Sequence, residues 1–424
     1  MVSCNTTDPP PDNRTLTLTF EDASCTEVWI QLSTENFQLP AELNLIRTNS
    51  DGNSVSQIYF LTTQDSLLYI DSLLPNNTYK LKASSILNSI SSNEINIITM
   101  DTTSHNFTWQ TFTFGEHSSS VIYDVAIIDE NNIWAVGEIY MNDSLGQPDP
   151  QAYNAVHWDG NEWKLLRILF YTICGQQSRT PYPASSIFAF SENEIWIAMR
   201  GDQIAKIENG VHTQTMCLPW SFTINKIWGT SSNDLFVVGN QGNIAHYQNG
   251  QWNRIETETT TNINDVWGYY DQVKNIRSVM AVASNILQSG EYRLISISDN
   301  IAKDTLNWPY NHWLKGIWFK NEYSPVYVCG SGIRVYRGGA WEELNLPNYF
   351  TESIRGNDVN DIMTVGHYGI IMHFNGVNWN VFNDFFPADY IFSSVALKKN
   401  TVIIVGNTTS GGVAGQAIIV VGKR

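Results

Sequence analysis

Nowhere in the 424 residues is there an apolar run of the length, about 18 residues, that a membrane-spanning helix requires. The most apolar stretch, 417–421, is strand-sized. A basic stripe is missing and the formal net charge is −17, which excludes nucleic acid as a partner. Cys-x-x-Cys pairs and Cys/His clusters are absent, so no zinc site is expected. Gly-x-Ser-x-Gly, a phosphate loop and metal-ligand spacings are also missing, and no cofactor or metal is expected. Charged residues make up only 15% of the chain; Asn, Ser and Thr fill its turns instead.

What the chain has is aromatic weight and repetition. Hydrophobic residues reach 42%, and 15 tryptophans recur at regular places. At about 150 residues per domain the length allows two or three domains.

Residues 14–103 alternate polar and apolar in short runs, as in Leu16-Thr17-Leu18-Thr19-Phe20, Val28-Trp29-Ile30, Ile58-Tyr59-Phe60, 67–70, 79–83 and 95–98. Asn53, Asn76 and Asn77 stand in the turns, a pattern that predicts an all-β sandwich. The segment Leu73-Leu74-Pro75-Asn76-Asn77-Thr78-Tyr79, with Trp29 upstream, resembles the fibronectin type III signature. That resemblance implies packing roles for Tyr79 and Trp29.

Residues 104–424 repeat one unit. Asn132-Ile133-Trp134-Ala135-Val136-Gly137, Asn233-Asp234-Leu235-Phe236-Val237-Val238-Gly239 and Asn360-Asp361-Ile362-Met363-Thr364-Val365-Gly366 match one another. Each precedes a strand, a Gly turn and a Trp, as in His157 to Trp163, His246 to Trp252 and His373 to Trp379. Four strands in about 35–50 residues form a propeller blade. Gly160, Gly210, Gly250, Gly290, Gly339 and Gly376 mark six outer turns, and 392–422 supplies a seventh unit with three strands. The segment 109–114 opens with Trp109 and fits the missing fourth place. The fold class is therefore all-β: a fibronectin-III-like sandwich and a seven-bladed β-propeller, closed by strand 109–114 pairing with 416–421. The repeats resemble degenerate Asp-box (BNR-like) and Ycf48-like propellers. The recurrent Trp are expected to wedge between blades, and His157, His246 and His373 to be structural.

The start, Met1-Val2-Ser3-Cys4, runs into the polar, Pro-rich stretch 5–13. It resembles the mature N-terminus of a bacterial lipoprotein, which implies a disordered tether over 1–13, a lipid on Cys4 and an extracellular or cell-surface location. The membrane would be met only through that anchor. Cys174 and Cys217 fall in loops on one face of adjacent blades, where geometry decides whether they pair.

The loops on that face, 138–154, 170–185 and 298–313 among them, are long or irregular, and function concentrates in such loops. They carry Tyr153, Tyr182, Trp308, Tyr310 and Trp313; shorter loops add Trp220, Tyr349, His367, Tyr368 and Phe386. These ten are the candidate ligand contacts, since exposed rings among Asn, Asp and His suit a glycan or a protein partner. The expected function is non-catalytic binding at a cell surface. A propeller glycosidase or lyase is the alternative, although no carboxylate pair or arginine cluster can be assigned from spacing. A structural component of a surface layer or filament is the third reading.

Overall fold

Leu16 and Leu18 are buried while Thr15, Thr17 and Thr19 between them are exposed, the signature of a strand with one face on a core. The computed structural model describes residues 13–285, 290–386, 388–409 and 415–424. Cys4 and nearly all of the expected tether lie outside them. The chain divides between Thr103 and Ser104 into two compact units.

The first unit contains seven strands: β1 (Thr15–Ala23), β2 (Val28–Glu35), β3 (Ala41–Asn49), β4 (Ser54–Leu61), β5 (Asp65–Ile70), β6 (Thr78–Ser85) and β7 (Ile90–Ile98). They form two antiparallel sheets, ordered β1-β2-β5 and β4-β3-β6-β7, around one core that draws on both. Tyr79 is buried, and its hydroxyl accepts a hydrogen bond from the Leu74 N–H at 2.9 Å, tying the 73–77 turn to β6. Trp29 is buried as well and packs against Tyr69 at 5.9 Å. Strand β3 is not among the runs read from sequence. Its alternation begins on Ala41, a weak strand former, and its outer face carries Glu42 and Asn44.

The second unit is built from four-stranded antiparallel sheets, seven among the described residues, six of them meanders of four consecutive strands. Sheets 1 to 6 span 121–166, 184–217, 224–255, 263–304, 314–343 and 351–381. Sheet 7 takes three strands from 390–423 and its fourth from β8 (Thr108–Phe114), which pairs antiparallel with Ala417–Lys423. Trp109 faces Gly422 and Phe114 faces Ala417 in that pairing, so the slot read from sequence is filled as expected. The first strands of consecutive sheets contact one another in order, and that of sheet 7 contacts that of sheet 1.

The outer turns follow their chemistry. Asn209-Gly210 and Asn249-Gly250 have positive φ at both positions, as tight hairpins that match strand twist require. Gly290 is a correction: it precedes the third strand of sheet 4, Arg293–Ser298, and the outer turn of that sheet is Asp299-Asn300, with φ of 50° and 59°. Asn and Asp are the non-Gly residues that enter this region most readily, so the turn needs no glycine. Tryptophans do wedge between sheets. A Cβ on Gly268 of sheet 4 would overlap the Trp228 ring of sheet 3, and one on Gly356 of sheet 6 would meet Trp318 of sheet 5 at 2.7 Å. Trp163 of sheet 1 packs on Phe112 of β8 at 5.9 Å.

The repeated histidines brace the second and third strands. His157 bonds Asn132 at 3.0 Å, His246 bonds Asp234 at 2.6 Å and His373 bonds Asp361 at 2.9 Å. Burial pushes the Asp234 carboxyl up, but hydrogen bonds from His246 and Thr230 and the Arg277 charge outweigh it and hold the group at about 2. A carboxyl lowered on folding stabilises the fold above its unfolded value near 4, and that contribution is lost as pH falls towards 2. Asp234→Asn is therefore expected to flatten the pH dependence of thermal unfolding between pH 4 and 2, and to leave its slope above pH 5 unchanged.

Candidate functional site

In every one of these seven sheets the first strand carries an extra residue, a bulge, near its start. Opposite the second strand, the register skips Tyr123, Ser185, Asn225, Asn264, Lys315, Glu352 and Ser393 in turn. A bulge lets two successive residues turn the same way, which a regular strand forbids. All seven extra residues line one central cavity of about 1160 Å³, and so do Asp124, Lys226, Asp265, Ser353 and Ser394, which directly follow five of them.

The bulge explains why so many second strands carry a glycine opposite it. The residues opposite are Gly137, Met199, Gly239, Ala283, Gly330, Gly366 and Gly406. A Cβ on Gly137, Gly239, Gly330, Gly366 or Gly406 would overlap the carbonyl oxygen of the residue just before the bulged strand's paired residue, or of that strand's own first residue. Met199 and Ala283 show that a bulge can admit a Cβ; glycine is required where the carbonyl lies over the opposing Cα.

Two buried carboxylates knit the first strands together. Asp124 Oδ1 accepts from Lys226 Nζ at 2.7 Å and Ser394 Oγ at 2.8 Å; Oδ2 accepts from Ser186 Oγ at 2.9 Å and the Ile187 N–H at 3.0 Å. It thereby joins sheets 7, 1, 2 and 3. Asp265 takes both Nη groups of Arg355, at 2.8 and 2.9 Å, and the Ile317 N–H at 3.0 Å, joining sheets 4, 5 and 6. The Arg355 guanidinium also lies 4.8 Å from the Trp267 ring centre. Burial raises the Asp124 carboxyl, yet Lys226 and the hydrogen bonds more than offset this and keep it below the ordinary carboxylate range. Glu352 is likewise raised by burial and lowered, on balance, by Lys315 at 3.3 Å and His367 at 2.9 Å.

The cavity is polar and cationic. Its lining has five cations, Arg200, Lys226, Arg254, Lys315 and Arg355, against three carboxylates, Asp124, Asp265 and Glu352. All three carboxylates are bonded to cations. Arg200 donates to the Tyr123 hydroxyl at 2.9 Å and has no carboxylate within ion-pair distance among the described residues. Asn225, Asn240, Asn243, Asn262, Asn264 and Asn285 add amide donors and acceptors.

Of the ten aromatic and histidine candidates, Trp220 lines this cavity. His367 stands one bond away, on Glu352, and packs against Phe350 at 5.2 Å. Trp313 packs on the same Phe350 at 6.1 Å. Tyr349, Tyr368 and Phe386 form a separate cluster, with Tyr349 4.8 Å from Phe386 and Tyr368 59% exposed. Trp308 and Tyr310 belong to another, with Trp341 at 4.8 Å from Trp308 and the buried Arg334 over Tyr310 at 4.6 Å. Tyr153 lies under Arg167 at 4.0 Å, and Tyr182 packs on the core shared by sheets 1 and 2. The ten candidates thus fall into several local clusters. The 298–313 loop is also shorter than read, because Ile301–Asp304 is the outer strand of sheet 4.

Cys174 and Cys217 form a disulfide, with Cα atoms 6.2 Å apart. It ties the small hairpin of Phe170–Tyr171 and Arg179–Thr180 to the outer strand of sheet 2, Val211–Cys217. Among the described residues no group of three or more His, Cys, Asp or Glu is gathered as a metal site would need.

No protein-family model and no curated protein matches the chain. Solved structures do. YCF48 bound to D1 peptide is similar at a TM-score of 0.53 and 16% identity, over 76% of this chain and 99% of that one. The WD40 β-propeller domain of Doa1 is similar at 0.48 and 12%, over 73% and 96%. At these identities the likeness to YCF48 concerns the fold: residues 104–424 are a β-propeller.

Proposed function

We propose that the propeller is a non-catalytic binding module whose central cavity holds a polypeptide segment rich in carboxylates. The observation that carries this reading is the excess of cations in that cavity within a chain of net charge −17. A field of that sign, confined to a cleft, attracts anionic groups that the rest of the surface repels. The asparagines match the donors and acceptors of a peptide main chain. YCF48 was solved with a D1 peptide, so a fold of this kind holds a peptide in one instance. Asp124 and Glu352 are held below the ordinary carboxylate range by their cations, the opposite of the raised pKa a general acid needs.

The reading includes a closed seven-bladed ring, supported by the β8 pairing, and a fibronectin-III-like spacer, supported by the Tyr79 corner. It includes a cell-surface or extracellular location, supported by the disulfide, which persists in oxidising compartments. Lipidation of Cys4 belongs to the same reading. A glycan is the second candidate ligand, because the rings of Tyr123 and Trp220 stand among amides in the same cavity.

The test is fluorescence anisotropy of the full chain with a library of Asp/Glu-containing peptides, beside a neutral library and a glycan array. Acidic peptides should bind, weaken with salt, and lose about tenfold in affinity with Arg200→Glu. Trp308→Ala with Trp313→Ala should leave that binding unchanged. Equal affinity for neutral peptides, or glycan binding alone, would overturn the peptide reading.

A further inference from the structure

Further along the same strands, past the ion pairs, lies a second cavity of about 170 Å³. Its wall is apolar: Val125, Ile187, Ile227, Trp267 and Val395 come from five different sheets. Lys226 and Arg355 line both cavities and so stand between them. Their charges are met by Asp124 and Asp265, which line only the larger cavity. The smaller cavity therefore combines an apolar wall with two cationic side chains and no carboxylate among its lining residues.

We propose that this cavity is a second binding site that takes a single aromatic ring. Volume and chemistry agree on that class. An apolar cavity of about 150 Å³ accommodates benzene. A cation beside the site favours a π face over an aliphatic group of equal size, and Arg355 already stacks in this way on Trp267. The first strands run from the polar cavity towards their turns with the second strands, so the site lies further along those strands than the Asn-rich lining. It is independent of the peptide reading.

Benzene and cyclohexane are the probes, added to the full chain carrying isotope-labelled Ile and Val methyl groups. Benzene should give saturable shifts centred on Ile187, Ile227 and Val395, and cyclohexane should give none. Ala396→Leu and Ala126→Leu add bulk to the lining from two neighbouring sheets and should each weaken benzene binding at least about tenfold. Two variants are used so that one that fails to fold leaves the other. N-acetylphenylalaninamide binding more tightly than benzene would assign the ring to a partner's side chain, and weaker binding would assign it to a free aromatic; both support the site. Equal shifts with cyclohexane, shifts elsewhere in the core, or wild-type affinity in a folded filled variant would overturn the proposal.

Discussion

Asp265→Ala is expected to lower the unfolding free energy of the propeller by about 3–5 kcal/mol, the cost of stranding a buried charge. Arg355 is buried and donates through both Nη groups to this one carboxylate. Without it the guanidinium keeps a carbonyl contact to Ile317 and the Trp267 ring, but no counter-charge of its own. The Ile317 N–H, which also bonds Asp265, loses its acceptor. Asp265→Ala with Arg355→Met removes both charges and should recover a large part of the loss, since an apolar replacement of a buried pair is often nearly neutral. Urea denaturation of the three variants measures this. A double variant as unstable as Asp265→Ala would mean that the inter-sheet bond to Ile317, and not the stranded charge, sets the cost.

Gly406→Ala should cost about 3 kcal/mol, the upper range for forcing an atom into a packed site. The added Cβ would overlap the Ile391 carbonyl oxygen at the sheet 7 bulge, and relief requires the first and second strands to separate there. Gly210→Ala is the contrast. That glycine has open space around it and a φ of +74°, so only the left-handed backbone penalty of about 1 kcal/mol applies. Ala283→Gly, at the equivalent bulge position of sheet 4, removes a Cβ that is already accommodated and should cost less than about 1 kcal/mol. Thermal unfolding ranks the three. If Gly406→Ala cost no more than Gly210→Ala, the bulges would not be pinned by the opposing glycines.

The strand map was legible because its signals are local. Alternation at 15–19 and 78–83, Asn-Gly turns and the recurrent strand ending in Gly each depend on a few adjacent residues. The pairing of β8 with the last strand was also readable, since a repeat with a missing strand and a leftover strand with the right Trp leave one solution. The turn of sheet 4 was misread because a nearby glycine, Gly290, was preferred to Asp299-Asn300.

The site was less legible. A signal did exist: two adjacent residues that break period 2 just before a Val or Ile, as in Tyr123-Asp124, Asn225-Lys226, Asn264-Asp265, Glu352-Ser353 and Ser393-Ser394. Read singly, each looks like an irregular strand. Their recurrence at one point of every unit is the mark of a bulge. The aromatic residues in the loops drew attention instead, and five of the ten candidates, Trp308, Tyr310, Tyr349, Tyr368 and Phe386, pack on one another.

The sequence by itself determined most of the strands, most of their turns and the number of repeats, because backbone periodicity and turn chemistry act over a few residues. Only the tertiary structure decided that seven separate bulges face one cavity, that Asp265 meets Arg355 across 90 positions of chain, and that Asp124 joins residues from four sheets. Those contacts depend on distances through space between first strands, and strand alternation carries no information about them.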